Sequence, residues 1–136
     1  MSTTLPEQAD IWVEQWQSQL ADRPAFAEAA DGFTATFRFE ITPDESYDGD
    51  PVVLRVVLDD GVCTVADVTD DPEYDFALQG PYTAWKALLR NEIEVSTAVM
   101  DGPFAVEGDT IALLQRQEAV AELVRAARDV ETTFSY

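Results

Sequence analysis

The most constraining feature of this sequence is a change of hydrophobic period between residues 74 and 114. Residues Tyr74–Leu78 alternate along the chain as the side chains of a half-buried strand do. Further on, Trp85, Leu88 and Leu89 lie three and four residues apart, which places them on one face of a helix. The segment therefore predicts a strand that leads directly into an amphipathic helix.

Proline, glycine and aspartate mark the remaining boundaries of this segment. Gly80-Pro81 predicts a helix start with proline at the first helical position, where its missing N–H is no loss. A second short amphipathic stretch, Val95–Met100, precedes a short predicted strand at Phe104–Val106. Asp109 is a predicted N-cap for a helix that begins at Thr110.

Three further strands are predicted upstream. Phe33–Ile41 alternates strictly and should have one dry and one wet face, whereas Val52–Leu58 is apolar on nearly every position, as in a strand deeper in a sheet. Asp59-Asp60-Gly61 is a hairpin signal, and Val62–Val68 is the return strand. Thr69–Pro72 is a turn that leads to the strand at residue 74.

Helical patterns lie at both ends of the chain. Gln8–Ala21 is amphipathic, and a short alanine-rich helix is predicted from Pro24 to Ala30. Beyond Gln115 an apolar stripe continues to Ala127, with an interruption at Gln115–Gln117 that predicts a kink or break. Several strands followed by helices, with one strand returning late, predict an α+β fold in one domain over residues 1–136.

The order and spacing of these residues resemble one known family. The run W-K-A-L-L-R-N-E-I at Trp85–Ile93, followed by A-V-M-D-G-P-F-A-V-E-G-D at Ala98–Asp109, is similar to the core of the sterol carrier protein 2-like family. The resemblance covers roughly Trp12–Val124 and is strongest between residues 74 and 114. Asn91 departs from the family's usual glycine, but asparagine tolerates the left-handed conformation better than most residues.

The resemblance implies a five-stranded, mostly antiparallel sheet covered on one face by helices, with an apolar tunnel between the two layers. Such proteins bind sterols, fatty acids, fatty acyl-CoAs or phospholipids there without altering them chemically. The pattern alone favours the interpretation that the apolar side chains pack against one another as an ordinary core, and only the resemblance favours a tunnel. The candidate ligand-binding residues are Phe37, Phe39, Leu54, Val56, Phe76, Trp85, Leu88, Met100, Phe104, Ile111 and Leu114.

Net charge limits the classes of partner. The chain carries 27 acidic and 8 basic residues, a formal net charge of −19, and Lys86 is its only lysine. We therefore expect neither nucleic acid nor an anionic membrane surface as a partner, because both are bound by clustered basic side chains. Such acidity is typical of proteins from a salt-saturated cytoplasm, where ions screen self-repulsion. In such a host, isoprenoid lipids, quinones, carotenoids or acyl thioesters are the candidate ligands.

Side chains for catalysis and metal binding are mostly missing. The chain contains no histidine, and Cys63 is the only cysteine, so neither a Ser-His or Cys-His dyad nor a usual zinc site can form. The acidic run Asp44–Asp50 does not have the spacing of an EF-hand. We expect no enzyme activity, metal or cofactor. A carboxylate enzyme would need two inward-facing acids with raised pKa values, such as Glu92 and Glu107.

Neither terminus carries a recognisable address, and no apolar run approaches the ~20 residues that span a bilayer. We therefore expect a cytoplasmic protein that is not integral to a membrane. A hydrophobic small molecule is the expected partner. The alternative function is a protein-interaction or dimerisation module with a filled core and no ligand, and a homodimer is left open under either reading.

Overall fold

Five strands form the central sheet of this computed structural model, which describes residues 2–5, 7–69, 73–94, 97 and 102–136. The strands and helices, in chain order, are β1 (Thr3–Leu5), α1 (Ala9–Ala21), α2 (Pro24–Ala29), β2 (Ala35–Thr42), β3 (Val52–Asp59), β4 (Val62–Val68), β5 (Phe76–Pro81), α3 (Tyr82–Leu89), β6 (Ala105–Gly108), α4 (Thr110–Gln115), α5 (Gln117–Arg128) and β7 (Thr132–Phe134).

The sheet has the strand order β4-β3-β2-β5-β6, and only the central pair β2–β5 is parallel. This confirms the predicted α+β fold with a five-stranded, mostly antiparallel sheet. Strict alternation along β2 sends every second side chain to the helix-covered face. On that face Phe39 lies opposite Leu54 of β3 on one side and Leu78 of β5 on the other.

The β3–β4 hairpin forms where the sequence predicted it. Asp60 and Gly61 are the two turn residues, and both have positive φ, 52° and 82°. A turn with two positive φ values matches the right-handed twist of the flanking strands, and glycine adopts it without strain. Gly61 is also required for space, because a Cβ there would lie 2.7 Å from the carbonyl oxygen of Ala30.

Helices α1, α3 and α5 bury their apolar stripes against the sheet and against each other. The buried residues of α1 include Trp12 and Trp16, one turn apart, and those of α5 include Leu123 and Ala127. The predicted interruption near Gln117 is confirmed, since α4 ends at Gln115 and α5 begins two residues later.

Asn91 ends α3 in the left-handed conformation, with φ of 61°. Its N–H donates to the carbonyl of Leu88 across 3.2 Å, and the N–H of Glu92 donates to the carbonyl of Ala87 across 2.8 Å. This pair of bonds is a Schellman motif, which satisfies carbonyls that the helix end would leave free. Asparagine therefore adopts here the conformation for which the family usually has glycine.

Several strand boundaries differ from prediction: β2 begins at Ala35 and not at Phe33, β3 ends one residue later than predicted, and β5 and β6 are shifted along the chain. Strand β5 runs from Phe76 to Pro81, because β2 continues to Thr42 and Thr42 pairs with Pro81. Pro81 is therefore the N-cap of α3 and not its first residue. Strand β6 runs from Ala105 to Gly108 and leaves Phe104 outside it. The predicted stretch Val95–Met100 lies outside the described residues except for Thr97.

A second, two-stranded sheet joins the ends of the chain. Strand β1 pairs in parallel with β7, with Thr3 opposite Thr132 and Leu5 opposite Phe134. Leu5 is 1% exposed, so this small sheet carries part of the core. Within the described residues, none of the helices combines the length and the apolar character needed to cross a lipid bilayer.

Candidate functional site

An apolar cavity of about 30 Å³ lies between the helix-covered face of the sheet and the helices. Strands β2, β3 and β5 supply its floor, helices α1, α3 and α5 supply its walls, and β1 contributes one side chain. Every lining residue is apolar: Leu5, Trp12, Trp16, Phe39, Ile41, Leu54, Leu78, Trp85, Leu88, Leu89, Val120, Leu123, Val124 and Ala127.

All three tryptophans of the chain line this cavity, and each indole N–H has an acceptor elsewhere in the protein. The acceptors are Thr132 Oγ1 for Trp12 at 2.8 Å, the Leu123 carbonyl for Trp16 at 2.8 Å and the Glu40 carbonyl for Trp85 at 2.9 Å. Because these polar atoms are already paired, the indoles contribute apolar ring surface to the cavity. The lining therefore presents apolar surface and no unpaired indole N–H to the interior of the cavity.

Aromatic rings extend the site into the surrounding core. Phe39 packs on Trp16 with ring centroids 5.2 Å apart and on Trp85 at 6.0 Å. Trp85 in turn meets Phe104 edge to face at 4.9 Å. Phe37 stacks parallel to Phe39 at 5.7 Å. The rings form one continuous apolar layer over the sheet.

The predicted site residues fall into four groups, of which the exposed pair Ile111 and Leu114 is described separately below. Phe39, Leu54, Trp85 and Leu88 line the cavity. Four others are buried in the adjoining core and do not line it: Phe37, Val56, Phe76 and Phe104. Met100 lies outside the described residues.

Ile111 and Leu114 do not converge on this region, contrary to expectation. They are 69% and 48% exposed, and neither lines the cavity. The reason is the orientation of α4, a helix of only six residues. Its neighbouring positions Ala112 and Leu113 pack against the core, so the i, i+3 pair Ile111 and Leu114 faces outward.

Several lining residues were not among the predicted site residues. Trp12 and Trp16 belong to an amphipathic stripe that is visible in the sequence, and so do Leu123 and Ala127, but nothing local assigned those stripes to the cavity. No pattern in the sequence indicated that Leu5 lines the cavity, because its strand is three residues long and pairs with a strand at the other end of the chain.

The volume of the cavity is far smaller than the volume that a lipid needs. Ligand pockets for small molecules usually measure about 300–1,000 Å³, whereas a water molecule needs ~10–15 Å³ of comparable space. At about 30 Å³, the cavity has room for one or two waters, and its apolar lining offers them no partners. A long-chain ligand could enter only if the helices moved away from the sheet.

The two carboxylates that an acid-base enzyme would need do not lie in the cavity. Glu92 and Glu107 are both exposed. Glu92 is paired with Arg90 at 3.2 Å, and Glu107 accepts a hydrogen bond from the Tyr74 hydroxyl. These two residues therefore do not form the inward-facing pair that a carboxylate enzyme would need.

Cys63 is partly buried beside the carbonyl of Val65, 3.4 Å from its Sγ. Burial raises the pKa of the thiol to about 11. It is therefore protonated at neutral pH and weakly reactive, since the thiolate is the nucleophilic form.

Asp44, the first residue of the acidic run, has a structural role. One carboxylate oxygen accepts from the N–H and hydroxyl of Thr83, at 2.8 and 2.9 Å, and so caps the first turn of α3 from a neighbouring loop. The other oxygen accepts from the N–H groups of Ser46 and Tyr47. Partial burial raises the pKa of Asp44, but these hydrogen bonds outweigh it and lower the pKa overall.

Known proteins share this fold and parts of this sequence. The model of the SCP-2 sterol transfer family matches residues 13–121. No curated protein matches the chain in sequence. A crystal structure of sterol carrier protein 2 is 26% identical and has a TM-score of 0.82, covering 89% of this chain and 96% of its own.

Two further solved structures are similar to it. A conserved hypothetical protein from Thermus thermophilus is 25% identical with a TM-score of 0.80, covering 90% of this chain and 88% of its own. A sterol carrier protein 2 from Aedes aegypti, in complex with the C16 fatty acid palmitate, is 13% identical with a TM-score of 0.54, covering 85% and 92%. That likeness shows the fold alone. Since the family model spans most of the sequence, this chain belongs to the SCP-2 sterol transfer family.

Proposed function

We propose that this protein binds a hydrophobic small molecule in the apolar cavity and carries or stores it without altering it chemically. The observation that carries the proposal is a site lined only by apolar side chains, in which the three indole N–H groups are already paired. Such a site offers burial of apolar surface and no group for catalysis. Membership of the family and the palmitate complex of the Aedes protein support the same function.

Burial supplies the affinity. Each CH₂ group moved from water into an apolar site contributes about 0.8 kcal/mol, so a long acyl or isoprenoid chain can offset the entropy lost on association. Part of that gain is spent on opening the cavity from about 30 Å³. The open state must therefore be a minor conformation that the ligand stabilises. We place this activity in the cytoplasm, as expected from the sequence.

The tryptophans provide a direct test, since all three line the cavity. Brominated fatty acids quench indole fluorescence only at short range, so a bromine midway along the chain should quench it saturably. The unbrominated acid should compete and restore the emission. Isoprenoid alcohols, quinones and acyl thioesters, used as further competitors, would rank the ligand classes. Quenching that rises linearly with probe and resists competition would contradict a binding site.

The small volume of the cavity favours one alternative. If the apolar residues simply pack as a filled core, the domain would act by binding a protein partner or a second copy of itself. Size-exclusion chromatography with light scattering, together with mass spectrometry of an organic extract, separates the two functions. A co-purifying lipid at near-stoichiometric amount supports the carrier. A constant dimer without lipid, and without saturable quenching, supports the interaction module.

A further inference from the structure

The central sheet has a second face, opposite the one that carries Phe39 and the cavity. Because successive side chains of a strand point to opposite faces, the neighbours of the cavity residues share this second face. Strand pairing places one row of them across the sheet, in the order Asp67 (β4), Arg55 (β3), Arg38 (β2), Ala77 (β5) and Glu107 (β6). The Arg55 and Asp67 side chains are 35% and 42% exposed, so this open face is in contact with solvent.

A second row lies two residues away along the strands of the open face. It consists of Val53 (β3), Glu40 (β2), Gln79 (β5) and Ala105 (β6). Arg55 donates to both carboxylate oxygens of Asp67, across 3.0 and 2.6 Å, and Arg38 lies 2.5 Å from Glu40. Together the two rows hold two of the 8 basic residues of the chain and three of its 27 acidic residues. Their charge is therefore nearly balanced, in a chain whose net charge is −19.

The first row is complementary to a second copy of itself. If two sheets pack face to face about a two-fold axis that runs along the strands between β2 and β5, then β3 lies over β6 of the other copy and β2 lies over its β5. Arg55 of each copy then lies over Glu107 of the other. Arg38 lies over Ala77, so that a long side chain meets a small one.

The same axis also matches the second row. Val53 lies over Ala105, and Glu40 lies over Gln79, whose side-chain amide can donate to a carboxylate. Neither row places two like charges directly opposite each other. Covering this face also leaves its carboxylates paired, because Asp67 and Glu40 keep their arginines and Glu107 gains Arg55 of the other copy.

We propose that two copies of this chain associate through the open faces of their sheets, about a two-fold axis parallel to the strands between β2 and β5. Charge favours this surface over the others, because two chains of −19 repel each other wherever their acidic surfaces meet. The inference goes beyond the proposed function and does not depend on it, since the cavity lies on the other face of the sheet.

The size of the overlap limits the strength of this association. Strands β3 to β6 overlap in each copy, and at ~4.8 Å between strands and ~3.3 Å per residue they present a surface of about 20 Å by 20 Å. That is about 400 Å² for each copy, whereas stable interfaces bury about 800 Å² for each partner. The dimer should therefore be weak and reversible. It should tighten from about 0.1 M to about 1 M salt, because screening weakens the repulsion between the two chains.

The test is sedimentation velocity in about 1 M potassium chloride, at protein concentrations from about 10 μM to about 1 mM. Arg55→Glu and Glu107→Arg each place like charges opposite each other in both pairs, and each should weaken self-association about tenfold or more. In an equal mixture of the two variants, positions 55 and 107 again face each other with opposite charges. The mixture should therefore dimerise as the wild type does. Arg90→Glu and Glu118→Arg, at exposed positions away from the open face, are the matched controls and should behave as the wild type, alone and mixed.

Three results would overturn the proposal: a wild-type protein that stays monomeric at every concentration, variants that associate as the wild type does, or a mixture that associates no better than either variant alone. Circular dichroism of each variant confirms that it is folded. Should Arg55→Glu fail to fold, Ala105→Arg provides the second test, because Ala105 is exposed on β6 and would lie over Val53. Ala105→Arg should weaken association about tenfold, and an unchanged association there also overturns the interface.

Discussion

Arg23 and Glu122 are joined across 2.8 Å, from the residue before α2 to the middle of α5. Glu122 also accepts from Arg125, and its side chain is only 9% exposed. Burial raises the pKa of this carboxyl, but the hydrogen bonds and charges of the two arginines outweigh burial and lower the pKa overall. The pair fixes the position of α5, the helix that supplies four of the cavity's lining residues.

Glu122→Gln should therefore destabilise the fold by about 1.5–3 kcal/mol at neutral pH, the usual range for hydrogen bonds to a charged group. A lowered pKa in the folded state means that this contribution is complete above the unfolded pKa of about 4.3 and is lost as pH falls through the folded value. Urea unfolding at neutral pH and at successively lower pH measures both effects. Glu118→Gln, on the exposed face of the same helix, is the control. Equal losses in the two variants would contradict the role of Glu122.

Filling the cavity should separate stability from binding. Ala127 lines the cavity, and Ala127→Leu would place three more carbons in or beside it. We expect lipid affinity to fall about tenfold or more, while the midpoint of thermal unfolding is held or raised, because added apolar atoms occupy empty space. Ala121→Leu, on the same helix outside the lining, should bind as the wild type does. A leucine at 127 that left binding unaffected would place the ligand elsewhere.

Asn91 is a position at which a substitution should stabilise the fold. Its φ of 61° is unfavourable for any residue with a side chain, though less so for asparagine. Asn91→Gly should raise the free energy of unfolding by a few tenths to about 1 kcal/mol, and Asn91→Ala should lower it. Chemical denaturation of both variants tests this, and the opposite order would show that the asparagine side chain makes a contribution that outweighs the backbone.

Salt should stabilise this protein. A net charge of −19 on 136 residues opposes the compact state, and added salt shortens the Debye length from about 10 Å at 0.1 M to about 3 Å at 1 M. We expect the thermal midpoint to rise by about 5 °C or more over that range and then to level off. A rise that continued steadily beyond it would indicate strengthened apolar burial as the main cause. A midpoint independent of salt would contradict the expectation of a salt-adapted protein.

The parts of the fold with strong local signals were predictable. Strict alternation predicted β2, and Asp60-Gly61 predicted the β3–β4 turn, where both residues have positive φ. Asp109, the predicted N-cap, does cap α4 by accepting from the N–H groups of Ile111 and Ala112. Each of these depends on neighbours within a few residues. The helical face that holds Trp85 and Leu88 was equally clear from the spacing, and both residues line the cavity.

The predictions that failed concern residues whose position depends on contacts with segments distant in the sequence. Leu5 lines the cavity only because β1 pairs with β7. Each of these strands has three residues, which is too short for an alternating pattern to predict a pairing between the two ends of the chain. Ile111 and Leu114 have the spacing of a buried stripe, but which side of so short a helix meets the core is decided by tertiary packing. Sequence periodicity identifies an apolar face without identifying what covers it.

The parallel pairing of β1 with β7 has a mechanical consequence. The first strand begins and the last strand ends at opposite ends of the pair, where Thr3 donates to the Glu131 carbonyl and Ser135 donates to the Leu5 carbonyl. Tension applied to the two ends of the chain therefore loads these bonds together in shear, and does not peel them apart one at a time. A domain tethered at both ends by linkers would hold Leu5, and with it one wall of the cavity, in place under a load that would unzip an antiparallel pair.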